Sequence, residues 1–412
     1  MNLNPKRTIA ALRELQALTE DEKGAQRVAF SPPWIKARNW FLNQLRDLPC
    51  LVQMDEAANL WITFKGQSQK ELWIGGHLDS VPGGGWLDGA FDLLAGLEVL
   101  RNYCSASSPP LTLCLVDWAD EEGTRFGRSL FGSSAVSGSL QEEEIFSLRD
   151  RSGILLSDVL KDYGLDPEKV LDASKRKTNA AAYLEVHVEQ GAVLENLSLP
   201  LGAVIGTAGV ERHRLVFTGM ANHSGSTPMA LRKDALVGAS RLVLFLREVA
   251  KSHNGVATAG CCEVEPGLPT AIPGSCRLTV DLRHLDKTNL QKMWRETLLK
   301  AQLIAREEGL ALGCETLLQV DPVSFHPQLV ELCKESILEV FPAVHTMGSG
   351  PLHDGTEIAK AGIPSAMMFV QSKGGISHSP KEDSSIEHLE LAVIALEKWV
   401  KKTIDWILRN NR

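Results

Sequence analysis

The sequence predicts an α/β protein: a mixed, mostly parallel sheet with helices on both faces, interrupted by an inserted ferredoxin-like α+β domain. Two observations carry that prediction. Four short apolar runs each give way to a polar loop, with helical patterns between them. A later stretch alternates strand and helix patterns in the order β-α-β-β-α-β.

The apolar runs share one grammar. Leu72-Trp73-Ile74 leads into Gly75-Gly76-His77-Leu78-Asp79-Ser80, and Leu111 to Val116 leads into Asp117-Trp118-Ala119-Asp120-Glu121-Glu122. Tyr183 to Val186 leads into His187-Val188-Glu189-Gln190-Gly191, and Ala366 to Val370 into Gln371 and a Gly374-Gly375-Ile376-Ser377-His378 loop. Continuous runs of this length suit strands buried on both faces, as in parallel sheets. Ala90 to Asn102 and Asp354 to Ala361 carry helical patterns. Ligands of open α/β sheets collect at the carboxyl ends of the strands, which is where these polar residues fall. The polar stretch Gln141 to Thr178 reads as helical decoration of this first domain.

In the later stretch, Glu211 to Thr218 alternates like a half-buried strand and Lys233 to Lys251 has helical periodicity. Thr258 to Val264 and Arg277 to Arg283 read as strands, Lys287 to Glu308 as a helix and Cys314 to Val320 as a closing strand. That order is ferredoxin-like. His378 comes after it and rejoins the first group, so the expected domains are residues 1–211 with 324–412, and an insert of residues 212–323.

Bulk properties narrow the function classes. A chain of 412 residues can bury a large core and has room for two domains. Net charge is -8, and Lys and Arg are scattered, so there is no basic stripe of the kind that binds nucleic acid. No run approaches the roughly 20 apolar residues of a membrane span, and Met1 to Glu14 lacks a signal-peptide core. Eight irregularly spaced cysteines make no disulfide framework, and Cys261 and Cys262 read as small core residues. A cytoplasmic location is expected.

The strand-end residues include five of metal-ligating type: His77, Asp88, Glu122, His187 and His378, with Glu121 beside the third. Two divalent ions need about this many ligands, one of them a shared carboxylate, if positions are to stay open for water. Asp79 follows His77 at the spacing of a carboxylate that fixes a ligating histidine's tautomer. Asp88 by itself also reads as a helix N-cap. Adjacent Glu121 and Glu122 at the end of a buried strand repel each other and lose hydration unless a cation compensates them. One can then ligate while the other moves a proton; a solvated acidic loop is the less favoured alternative. His223, in Asn222-His223-Ser224-Gly225, suits an oxyanion donor or a turn equally. Arg283 suits a substrate carboxylate or an ion pair with Asp281. His353 and Asp354 open a helix, where capping accounts for Asp354, and are left outside the metal set.

Taken together, the blocks from Gly76 to Pro82, Asp120 to Gly123, His187 to Gly191, Ala221 to Gly225 and Gly374 to Pro380 resemble the hydantoinase/carbamoylase branch of the co-catalytic metallopeptidase superfamily. That branch includes N-carbamoyl-L-amino-acid hydrolases, allantoate amidohydrolases and β-ureidopropionases. The resemblance implies a hydrolase with two divalent ions per subunit, zinc first, with manganese, cobalt or nickel as alternatives. His77 and His187 would hold one ion, Glu122 and His378 the other, and Asp88 both. It implies Glu121 as base, and His223 as oxyanion donor contributed across a homodimer. Gln190 and Arg283 would grip the substrate, and the insert would serve as dimerisation surface and lid. The reaction expected is hydrolysis of the C–N bond of an N-carbamoyl amino acid or allantoate-like compound, with release of ammonia and carbon dioxide. An N-acyl or N-formyl deacylase or a dipeptidase with the same site is the alternative. Two positions depart from the family pattern: Thr270 stands where relatives carry a carboxylate-binding asparagine, and Trp86 is a bulky indole near the metals, expected to narrow the site or stack on a planar substrate.

Overall fold

The computed structural model describes residues 3–105 and 108–410. The chain forms two compact units, the second being Thr207–Ser324 and the first the chain on either side of it.

The first unit is built on a mixed sheet whose centre is parallel. Strand Glu71–His77 pairs in parallel with Thr112–Trp118 on one side and Ala180–Val188 on the other, and the latter pairs in parallel with Ser365–Val370. The margins are antiparallel: Leu201–Thr207 beside Ser365–Val370, and Leu60–Phe64 then Leu51–Met54 beyond Thr112–Trp118. Strands Leu60–Phe64, Glu71–His77, Thr112–Trp118 and Ser365–Val370 are buried throughout, the pattern that continuous apolar runs predict. Trp61 packs against Trp73 and Trp118, with ring centroids 4.8 and 5.4 Å away. Helix Ala90–Cys104 is buried from Ala90 to Arg101, so it reads as apolar nearly all round rather than amphipathic. Its Glu98 is neutralised by Arg7 at 2.7 Å. The polar stretch after Ser139 forms helices Glu142–Ser147 and Leu156–Asp162 and the 3₁₀ segment Pro167–Asn179.

Register matters more than strand count here. The parallel pairing sets His77 beside Trp118, from which the chain continues directly to Glu121 and Glu122. It also aligns Gly75 with Glu185. Two residues further on, His77 and His187 leave the sheet side by side, with ring centroids 6.2 Å apart. One slip of register would turn either imidazole to the opposite face.

The second unit carries an antiparallel sheet in the order Val256–Glu265, Ser275–His284, Gly209–Thr218, Ala311–Val320, with helices Ala235–His253 and Lys287–Glu307. Strand and helix follow one another as β-α-β-β-α-β. Leu215, Phe217, Leu278, Val280 and Leu282 alternate inward and join Leu242, Leu246, Met293 and Ile304 in one buried cluster. The opposite face carries ion pairs such as Arg214 with Glu315 at 2.7 Å. Cys261 and Cys262 are a correction to the sequence reading: both are exposed. They sit on a margin strand whose register shifts between Ala259 and Cys261, so the alternation that buries apolar residues is interrupted there. Among the described residues, no helix is long and apolar enough to cross a membrane.

Candidate metal centre

Each ligand-type residue is delivered by a different strand end or loop of the first unit. His77 closes its strand, buried. Its Nδ1 donates to the backbone carbonyl of Asp79 at 3.1 Å, which leaves Nε2 as the free nitrogen. The ring is wedged by Gly89, whose φ is +65° and whose added Cβ would lie 2.3 Å from the imidazole. His187 is held the same way, its Nδ1 donating to the Val188 carbonyl at 2.8 Å. The expected role of Asp79 changes accordingly. Its carboxylate stands 3.6 Å from His77 Nδ1 and accepts instead from the backbone N–H groups of Glu121 and Glu122, at 3.3 and 3.1 Å. It shapes the acidic turn while its main chain orients the histidine.

Asp88 is the hub. Its Oδ1 lies 3.2 Å from His187 Nε2 and 3.8 Å from His77 Nε2, and its Oδ2 lies 3.2 Å from His378 Nε2. Glu122 Oε2 is 3.5 Å from the same His378 nitrogen, and Glu121 Oε2 is 3.8 Å from His77 Nε2. Two groups therefore offer metal-ligating atoms within 4.8 Å of one another: His77, Asp92 and His187 in one, Asp88, Glu122 and His378 in the other. All five sequence-predicted ligands come together, with Glu121 against them.

The charge of this cluster is unbalanced. Burial, together with repulsion from Asp354, Glu122 and Asp79, holds the Glu121 carboxyl well above its ordinary range, His77 only partly opposing it. Burial and the neighbouring Asp88 push Glu122 up to about 7. Burial works against charge on His187, yet Asp92, Asp88 and Glu185 outweigh it and hold the imidazole well above its usual value. Carboxyls that resist ionisation and imidazoles that retain protons mark an excess of negative charge in a water-poor site. His77 Nε2 and both oxygens of Asp92 are buried without a hydrogen-bond partner among the described residues. Divalent cations fit this donor set on both counts.

The remaining predicted residues fall in several places. Gln190, at φ 56°, donates its amide to Asp88 Oδ2 at 2.8 Å and reaches His378 Nε2 at 3.3 Å. Trp86 is buried, with the Arg13 guanidinium 3.4 Å over its ring; that packing leaves the indole little face for a ligand. His223, Thr270 and Arg283 belong to the second unit. His223 is exposed, and the Gly225 N–H donates to its Nδ1 at 3.1 Å. The Thr270 carbonyl accepts from Ser224 N at 2.9 Å, and Arg283 pairs with Asp281 at 2.9 Å.

Other residues near the site are not placed in it by the sequence: Glu382 and Arg27 are not singled out, and His353 and Asp354 read only as the start of a helix. Glu382 is buried and accepts the backbone N–H groups of Leu87 and Asp88, each at 3.0 Å. Arg27, fully buried, donates to the Leu78 carbonyl at 2.7 Å and carries its charge near Asp79, Glu382 and Asp88. His353 packs at a tilt against His187, with ring centroids 4.4 Å apart, and Asp354 contributes to the field on Glu121. An unexplained buried-type charge next to an apolar run was the only available signal for these, and it does not say which site the charge serves.

The sheet, the strand-end placement and the two His/carboxylate groups define an α/β scaffold with candidate metal-binding groups. The chain belongs to Peptidase family M20/M25/M40, whose pattern matches residues 73–402. It is 33% identical to the N-carbamoyl-L-amino acid amidohydrolase of Geobacillus stearothermophilus over 88% of this chain and 90% of that one. It is 31% identical to the allantoate amidohydrolase of Bacillus subtilis, over 90% and 91%. Among solved structures, a hydantoinase/carbamoylase family amidase from Burkholderia multivorans superposes with a TM-score of 0.90 at 30% identity, covering 97% of each chain.

Proposed function

We propose that the chain is a metal-dependent amidohydrolase that cleaves the C–N bond of N-carbamoyl (ureido) amino acids or allantoate-like substrates, releasing ammonia and carbon dioxide. One observation carries the reading. Asp88 turns one oxygen to His77 and His187 and the other to His378, with Glu122 beside it. Names of relatives supply the substrate class.

In this reading His77 and His187 would hold one divalent ion, Glu122 and His378 would hold the other, and Asp88 would serve both. Histidine and carboxylate donors suit zinc and also admit manganese, cobalt or nickel. When bound, such ions polarise the scissile carbonyl and lower the pKa of water. Glu121 takes the proton of the attacking water and passes it to the departing nitrogen. Its burial raises its proton affinity, which favours the proton-accepting half of that cycle. His223 accepts at Nδ1 from Gly225, so its Nε2 carries the hydrogen and can donate to the developing oxyanion. Gln190 exchanges its bond to Asp88 for one to substrate, and Arg283 meets the substrate carboxylate in the company of Thr270. The reading assigns residues 1–211 and 324–412 to catalysis and residues 212–323 to a dimerisation surface and lid, with His223 acting on the partner subunit's substrate. Exposed Met229 and Leu231, close to His223 in sequence, support an interface there.

The test is a substrate panel. Purified protein supplied with divalent ions is expected to release ammonia from N-carbamoyl amino acids or allantoate, and to act far more slowly on N-acetyl, N-formyl and dipeptide forms. Turnover confined to the acyl or dipeptide forms replaces the ureido reading with a deacylase or dipeptidase.

A further inference from the structure

We propose that Asp92 is a metal ligand of this chain, giving the His77–His187 pocket a carboxylate of its own in addition to the shared Asp88. The inference rests on the metal-site reading above and extends it to a residue that reading leaves idle.

Asp92 lies in the first turn of helix Ala90–Cys104, with an exposure of 0%. Neither of its oxygens has a hydrogen-bond partner among the described residues. A carboxylate removed from water without hydrogen bonds either takes up a proton or is compensated by a cation, and this one faces a histidine nitrogen of the site. Close packing fixes its place: a Cβ on Gly76 would come within 2.6 Å of Asp92 Cβ, so the bare glycine lets the helix settle onto the strand that ends at His77.

The facing atom decides between a ligand and a supporting role. A carboxylate that merely orients a ligating histidine bonds the ring nitrogen opposite the metal. For His187 that place is taken, since Nδ1 donates to the Val188 carbonyl. Asp92 Oδ2 instead faces Nε2, at 3.6 Å, and Asp88 Oδ1 faces the same nitrogen at 3.2 Å. Because Nδ1 already donates to a carbonyl, a cation that displaced the proton on Nε2 would take that nitrogen's lone pair between two carboxylate oxygens. The spacing suits this. Tetrahedral ligands with bonds near 2.0–2.1 Å stand about 3.4 Å apart. The distances from His187 Nε2 to Asp92 and Asp88, and the 3.8 Å from His77 Nε2 to Asp88 Oδ1, lie around that value. His77, His187, Asp88 and Asp92 thus offer four donors in which both histidines face the shared space with Nε2.

The experiment measures metal binding rather than turnover. Wild type and Asp92→Asn are stripped with chelator, reloaded with zinc, and titrated against a competing chelator, with metal per subunit determined after dialysis. Wild type is expected to hold two ions, and Asp92→Asn to hold one tightly while the other weakens by at least about 10–100-fold. Equal affinity at both sites in the variant overturns the proposal and leaves the metal-site reading intact. A wild type that takes up no ion overturns both. Should Asp92→Asn not fold, a crystal structure of the cobalt-loaded wild type decides: an Asp92 oxygen at about 2.0–2.2 Å from the ion supports the assignment. An ion bound by His77 and His187 with Asp92 outside bonding distance overturns it.

Discussion

Glu121 and Glu122 are neighbours in the chain with different surroundings, and this difference assigns their tasks. Glu122 accepts the Val81 N–H at 3.2 Å and faces His378, a fixed posture suited to a ligand. Glu121 is buried and faces His77 across 3.8 Å, with burial and the neighbouring acids raising its proton affinity. Glu121→Gln keeps the shape and removes the base. Turnover is therefore expected to fall by about 10²–10⁴-fold, while metal content per subunit stays at the wild-type value. Steady-state kinetics beside elemental analysis reads both quantities, and near-normal turnover would refute the assignment of the base. The five residues of ligand type that converge at the strand ends were legible in the sequence because histidines and acids stand out where an apolar run stops. Asp92 was not. Inside Ala90-Phe91-Asp92-Leu93-Leu94 a lone acid reads as a favourable first-turn charge on a helix, and only the fold shows that it points at His187.

Among elements, the loops are positioned less by their own sequence than by acids arriving from elsewhere. Glu382 reaches back across the chain to hold the N–H groups of Leu87 and Asp88 with Oε1, while Ser377 Oγ lies 2.9 Å from its Oε2. One buried carboxylate thus ties the Asp88 turn to the loop that presents His378, itself at φ 51°. Glu382→Ala is expected to weaken metal binding by about 10–100-fold with little change in far-ultraviolet circular dichroism. Chelator competition measures the first, and an unaltered metal affinity would show that the two loops hold themselves. The parallel strands were legible because burial on both faces leaves a continuous apolar signature. The margins were less so. Leu51–Met54 is four residues long and mostly exposed, and Leu201–Thr207 contains two glycines, so neither carries a pattern that separates strand from loop. The same weakness misled the reading of Cys261 and Cys262, where a register shift breaks the alternation.

For the whole molecule, the consequence is an uneven distribution of metal-dependent stability. Every candidate ligand, Asp92 included, lies in the unit that flanks Thr207–Ser324. The division into two units was visible in the sequence as a change from continuous to alternating apolar patterning, because the second sheet buries only one face. What the patterning did not carry is where the energy of ion binding goes. Ions that bind only the folded state stabilise it by RT ln(1 + [L]/Kd), about 2.7 kcal/mol when free metal is a hundredfold above Kd. That gain belongs to the segments which must come together to form the site: Glu71–His77, the turn at Asp88, the turn after Trp118, Ala180–Val188 and the loop at His378. Hydrogen exchange with and without chelator is therefore expected to show protection lost in those segments and largely unchanged in Gly209–Thr218 and Ser275–His284, whose buried cluster is made of their own helices and strands. Loss of equal size in both units would mean that the second unit also contributes ligands, and the assignment of the metals to the first unit's donors alone would have to be given up.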